Sequence, residues 1–238
     1  MSQGTIGRKV QDIFIAFQRS RKVWNDLVSD GLTQANALVN VQLQQGYVDH
    51  PAYWSPVLAQ FEDLKDRFEA KLQRKAQGLA SDLEATLTKL NAQYIKMKQQ
   101  HSQLEHLIEE ATETFGERFT YSDPIGATCT LEQLWIHFQR VFNMYSEQWL
   151  VNQDIVDQIL VYTKKESLSD HPPSHSTTGI ISSAASNVPP GVAAKQGMVQ
   201  RQDKDKAMIL LSAWLNQPHL MNGPLADFDD LCKVELEV

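Results

Sequence analysis

The stretch that decides the fold is FEDLKDRFEAKLQRKAQGLASDLEATLTKLNAQYIKMKQQHSQLEHLIEEATETF, residues 61–115. Its apolar positions run from Phe61, Leu64, Phe68 and Leu72 through Leu90, Tyr94, Met97 and His101 to Ile108, Ala111 and Phe115, always at steps of three or four. That spacing lines one face of an α-helix. No proline interrupts the run, and only Gly78 weakens it. A helix of this length extends roughly 80 Å at 1.5 Å per residue. Alone it cannot bury such a seam, so it requires a coiled-coil or bundle partner along its length.

The same period appears on either side. In residues 8–45 it is carried by Val10, Ile13, Phe14, Phe17, Trp24, Leu27, Val28, Leu32, Ala35, Val39 and Leu43, with Arg21 breaking the stripe once. Inside this block lies DGLTQANALVN, residues 30–40. Gly31 costs about 1 kcal/mol relative to alanine in a helix, so it marks either a kink or a close approach; a continuous helix is the expectation. Asn36 falls among Leu32, Val39 and Leu43, and Asn40 at the margin. A buried amide without a partner costs about 1–3 kcal/mol. Asn36 therefore bonds a facing helix or lies near solvent, and acts on helix register or partner choice.

Residues 46–60 read as a loop pinned by Tyr53 and Trp54, with Ser55-Pro56 as an ordinary turn. After a turn around Ser122-Asp123-Pro124, Thr130-Leu131-Glu132-Gln133 forms a capping box that starts a helix ending near Lys164-Lys165. From 167 to 202 Ser, Pro, Gly and Ala dominate without a period, the composition of a flexible tether. A helix follows over 203–216 and stops at Pro218. A second short helix is expected from Pro224, a residue suited to a first turn, and the end KVELEV reads as a short edge strand or a frayed tail. The expected fold is all-α: an elongated helical bundle or coiled coil over 1–166, a disordered tether over 167–202, and a small C-terminal helical segment over 203–238.

The chain carries a net charge of −7, with 29 acidic against 22 basic residues. Nucleic-acid binders need a cationic footprint. Short basic pieces such as RKV at 8–10 and QRSRK at 18–22 read as solvated helix faces, so no nucleic-acid contact is expected. Cys129 and Cys232 make no disulfide framework, no secretory signal is evident, and no window approaches a membrane span. A soluble protein of the nucleus, and also of the cytoplasm, is expected.

Chemistry is harder to find. His101 and His106, within His101-Ser102-Gln103-Leu104-Glu105-His106, stand about 140° apart on a helix, which makes them surface histidines rather than zinc ligands. Walker, GxGxxG, GxSxG and CxxC patterns are absent from the sequence, and Asp229, Asp230 and Glu235 lack calcium-loop spacing. No catalytic residue, metal or cofactor is expected, and the chain reads as a non-enzyme.

What remains is a burial demand. Leu210-Leu211-Ser212-Ala213-Trp214-Leu215-Asn216-Gln217-Pro218 is apolar on most sides, and such a helix must be covered on most sides. It docks either onto its own chain or onto a partner, with Trp214 as the anchor.

Two segments resemble the cyclin-dependent kinase 2-interacting protein family. One is Trp24 and Leu27 followed by Asp30-Gly31-Leu32-Thr33-Gln34-Ala35-Asn36-Ala37-Leu38-Val39-Asn40. The other is Leu211-Ser212-Ala213-Trp214-Leu215-Asn216-Gln217-Pro218. The resemblance implies a nuclear adaptor that contacts cell-cycle kinases and a AAA+ ATPase assembly in DNA replication, genome maintenance and ribosome maturation. Trp24, Asn36, Asn40, Trp214, Leu215, Gln217 and Pro218 are the expected partner-binding or register residues. Protein partners are expected to bind through helical faces in a hetero-oligomer. The alternative is a structural coiled-coil subunit of a kinetochore or vesicle-tethering complex.

Overall fold

The computed structural model describes residues 3–48, 50, 53–166 and 204–236; the tether expected at 167–202 lies outside the described residues. The fold is an all-α bundle. Helix α1 spans Gln3–Tyr47, α2 Glu62–Phe115, α3 Glu117–Tyr121 and α4 Leu131–Glu166. Helix α5 covers residues 204–216, and α6 spans Asn222–Leu236.

The long helix of the opening stretch forms as its period demands. Ala76, Leu83, Leu90, Met97, Leu104 and Ala111 are all buried and fall every seventh residue. A flanking row of the same spacing holds Leu72, Thr86 and Leu107, also buried. This is the seam a sustained seven-residue repeat produces. Gly116 closes α2 with φ of 85°, a left-handed backbone that only glycine adopts without cost.

Helix α4 begins where its capping box stands. The Gln133 backbone N–H donates to the Thr130 hydroxyl at 3.3 Å, and the Thr130 N–H donates to the Gln133 side-chain oxygen at 3.0 Å. Two otherwise orphaned donors of the first turn are thereby satisfied.

Contacts divide the chain into two compact units: Met1–Leu32 with Glu84–Asp154 and Ala213–Val238, and Thr33–Leu83 with Ile155–Ser212. The core of the first is aromatic. The Phe138 ring centroid lies 5.1 Å from that of Phe14 and 4.4 Å from that of Phe17, and Phe228 stacks on Phe14 at 5.4 Å. Trp24 meets Tyr145 edge-on at 5.5 Å. The second unit buries smaller groups, among them Ala35, Leu38, Ile159 and Ala207. Its loop is held where the Trp54 indole donates to the Val48 carbonyl at 2.7 Å, while Tyr53 and Trp54 both meet the Phe68 ring.

Several local expectations are corrected. The described part of KVELEV, Lys233–Leu236, is neither strand nor frayed tail: α6 continues to Leu236, and Glu235 and Leu236 are buried; residues 237–238 lie outside the described residues. Asn36 is not inside the apolar stripe but exposed, as is Asn40. The stripe there is rotated by Leu38 and Val41, which are buried and draw the inward face away from the asparagines. His101 is not a surface histidine. Its ring lies 4.4 Å from that of Phe142 and 4.6 Å from that of Trp135, because it occupies the row that also carries Tyr94 and Ile108. Burial lowers its pKa, which the nearby Glu105 carboxylate only partly opposes.

Candidate functional site

The site is built where the end of α5 and the turn into α6 meet α1 within the first unit. Trp214 is fully buried. Its ring lies over Gly31: a Cβ built on that glycine would stand 2.5 Å from Trp214 Cζ2. Helix α1 runs through Gly31 without a break, so the glycine serves close packing rather than a kink. The approach also lets the Trp214 indole N–H donate to the Val28 carbonyl at 2.8 Å, which satisfies the polar end of a buried tryptophan.

Gln217 is the second fixed point. It follows the last turn of α5 with φ of 44°, a left-handed conformation common just past helix ends but uncommon for a residue with a side chain. Its side-chain oxygen accepts from the Trp24 indole at 3.1 Å, and its amide donates to the Trp214 carbonyl at 3.2 Å. One glutamine therefore ties the closing turn of α5 to α1. Pro218 follows and cannot continue the helix.

The turn is held from α4 as well. The His219 backbone N–H donates to Gln148 Oε1 at 3.1 Å, and the Gln148 amide donates to Asn152 Oδ1 at 2.8 Å. Gln148 and Asn152 are fully buried. Buried amides at this spacing on one helix are stabilised only when paired, and here they support the turn. The His219 ring pairs with Glu147 at 2.9 Å on the surface.

Helix α6 is fastened at its middle and near its C-terminal end. The Arg21 guanidinium, which interrupts the α1 stripe, donates to both Asp229 oxygens and to the Tyr145 hydroxyl, and lies over the Phe228 ring at 5.4 Å. Burial pushes the Tyr145 hydroxyl up, and the Arg21 charge opposes this. Near the far end, the Glu235 carboxylate accepts from the Thr128 N–H at 2.7 Å, the Cys129 N–H at 2.9 Å and the Thr128 hydroxyl. Burial disfavours its charge, yet these donors prevail and hold its pKa down to about 2. Gly126 packs against this carboxylate and the Glu235 backbone so closely that a Cβ would stand 2.6 Å from the Glu235 carbonyl oxygen.

The expected site residues therefore separate. Trp24, Trp214 and Gln217 converge in one joint, with Leu215 and Pro218 exposed beside it. Asn36 and Asn40 lie in the other unit, where the Asn40 amide meets Asn36 Oδ1 at 3.5 Å. Sequence reasoning missed Gln148, Asn152, Arg21 and Glu235 as fasteners. The Gln148–Asn152 pair alone had a local signal, two amides four apart on an otherwise apolar face. The C-terminal helical segment docks in cis. Among the described residues no group of three or more His, Cys, Asp or Glu could hold a metal ion, and no helix is long and apolar enough to cross a membrane. Burial, first, and the Asp229 charge push the Cys232 thiol up to about 12, far from thiolate chemistry.

The chain belongs to the ribosome biogenesis protein C1orf109-like family, whose family model matches residues 5–173. No curated protein matches it. The resemblance to the cyclin-dependent kinase 2-interacting protein family is thereby corrected. The two segments that carried it are the two halves of one joint, Gly31 and Trp24 on one side, Trp214 and Gln217 on the other. The kinase and AAA+ ATPase contacts implied by that resemblance lose their basis with it.

Proposed function

We propose that the chain is a non-enzymatic subunit of a nuclear ribosome-assembly complex and engages a partner protein through the outer side of the α5–α6 turn. The family supplies the process. The mode rests on one observation: Leu215 is 61% exposed and Met221 56% exposed, on a turn whose inner side is fixed by Gln217 and Gln148. Trp214 is spent inside the chain, so the apolar groups left for a partner are its neighbours. Apolar side chains on a pinned turn lose little freedom on binding, which favours association. A helical partner with an apolar stripe fits such a corner.

The test is sedimentation of cell extracts on sucrose gradients. The wild-type chain is expected to travel with pre-ribosomal particles. A Leu215→Glu, Met221→Glu variant, changed only at exposed positions, is expected to stay near the top while melting like the wild type. A wild-type chain that never enters the particle fractions, or depletion that leaves the ribosomal-subunit profile unchanged, would refute the reading.

A further inference from the structure

Helix α2 is charged unevenly along its length. Between Leu64 and Gly78 it carries Lys65, Arg67, Lys71, Arg74 and Lys75 against Asp66 and Glu69. Between His101 and Phe115 it carries Glu105, Glu109, Glu110 and Glu113 and no lysine or arginine. The helix dipole favours cations toward the C-terminal end and acids toward the N-terminal end, so the helix does not itself account for this order.

Arg67, Lys71, Arg74 and Lys75 are all exposed and share a face about 100° wide at 100° per residue. Arg67 is paired with Asp63 at 3.4 Å. Lys71, Arg74 and Lys75 have no ion pair among the described residues, and Lys71 stands four residues from both Arg67 and Lys75. Like charges at that spacing destabilise a helix. Just before the helix begins, Phe61 is 62% exposed. Phe61 and Arg67, with Leu58, Gln60, Asp63 and Leu64, line one cavity of about 650 Å³.

We propose that this face of the second unit binds single-stranded RNA, with phosphates along Arg67, Lys71, Arg74 and Lys75 and a base stacked on Phe61 in the cavity. A cationic ridge beside an open aromatic ring is how sequence-tolerant single-strand sites are built. Duplex RNA keeps its bases stacked and offers nothing to the ring. An acidic peptide would use the ridge but leave Phe61 idle. The four cations fall within nine residues of sequence, and the helix brings them to one face. This site shares no residue with the α5–α6 turn, so either can fail without the other.

The experiment is fluorescence anisotropy of a labelled oligouridine titrated with the full chain at several salt concentrations. Lys71→Ala, Arg74→Ala and Lys75→Ala together are expected to weaken binding by at least about ten-fold and to reduce the slope of log affinity against log salt by about 2, at about 0.7 per lost phosphate contact. Phe61→Ala is expected to weaken binding by about ten-fold while leaving the slope unchanged. Circular dichroism melting of each variant confirms that the helix persists. The proposal is overturned if the wild type does not bind at low salt, if the triple variant binds as well as the wild type, or if polyglutamate competes as well as unlabelled oligouridine and Phe61→Ala has no effect. That last pattern assigns the face to an acidic protein segment.

Discussion

Trp214 and Gly31 fit so closely that no side chain can stand between them: the ring carbon Cζ2 lies 2.5 Å from the position of a Cβ on the glycine. The joint therefore needs both residues, and neither is interpretable alone. Gly31→Ala gains about 1 kcal/mol of helix propensity but forces the Trp214 ring to move, and overpacking of this kind costs about 1–3 kcal/mol. A net loss of up to about 2 kcal/mol in urea unfolding is expected. Gly78 on α2 is the control, since a Cβ there meets nothing within 4 Å; Gly78→Ala is expected to stabilise by about 0.5–1 kcal/mol. Equal effects of the two changes would show that Gly31 is not a packing position.

Gln217 separates a hydrogen-bond contribution from a backbone contribution. Gln217→Ala removes the acceptor of the buried Trp24 indole and should cost about 1–3 kcal/mol. Gln217→Gly loses the same bond but relaxes the left-handed backbone at φ of 44°, so it should be the milder change by about 1 kcal/mol. Denaturant titration of both variants ranks them, and the reverse order would mean that the backbone stores no strain there.

Glu235 links stability to acid. Its folded pKa, about 2, lies below the ordinary glutamate value of about 4.3. The stability it contributes is fully present above about pH 4.3 and is lost as the pH falls toward the folded value. Glu235→Gln is expected to cost about 1–3 kcal/mol at neutral pH, where charge-assisted bonds are removed, and to flatten the fall in stability over that acidic window. Melting temperatures measured across the window read both effects.

His101 acts in the opposite sense. Burial lowers its folded pKa, so the unfolded chain binds more protons as the pH drops below about 6.5 and the fold weakens there. Its Nε2 atom is buried without a hydrogen-bond partner among the described residues. Phenylalanine keeps the ring stacked against Phe142 and Trp135 and removes that polar atom. His101→Phe is expected to raise stability at neutral pH and to abolish the loss that sets in below about pH 6.5. A variant less stable than the wild type at neutral pH would show that the imidazole nitrogen is satisfied.

Much of this protein was readable before any coordinates. The capping box at Thr130 and Gln133 formed as spaced, Pro218 ended α5, and the seven-residue seam of α2 went inward from Leu72 to Ala111. The asparagines failed the same test because a stripe of steps three and four leaves its centre uncertain by about one residue, or 100°. Leu38 and Val41 moved it. His101 failed because its polarity suggested solvent, whereas its row along the helix faced two aromatic rings.

The sequence by itself determined that the long segments are helical and that each carries a face needing cover, because period, caps and proline act over a few residues; it did not show the short α3 or the continuation of α6 to Leu236. It could not determine what covers each face. The Trp24–Gln217 bond joins residues 193 apart and the Arg21–Asp229 pair residues 208 apart, and no local rule relates such positions. Whether Trp214 is seated in its own chain or held out to a partner, whether Glu235 is a tail charge or a clasp, and which cations share a face were decided by the tertiary structure alone, because hydrophobic burial specifies that a surface must be covered without naming the surface that covers it.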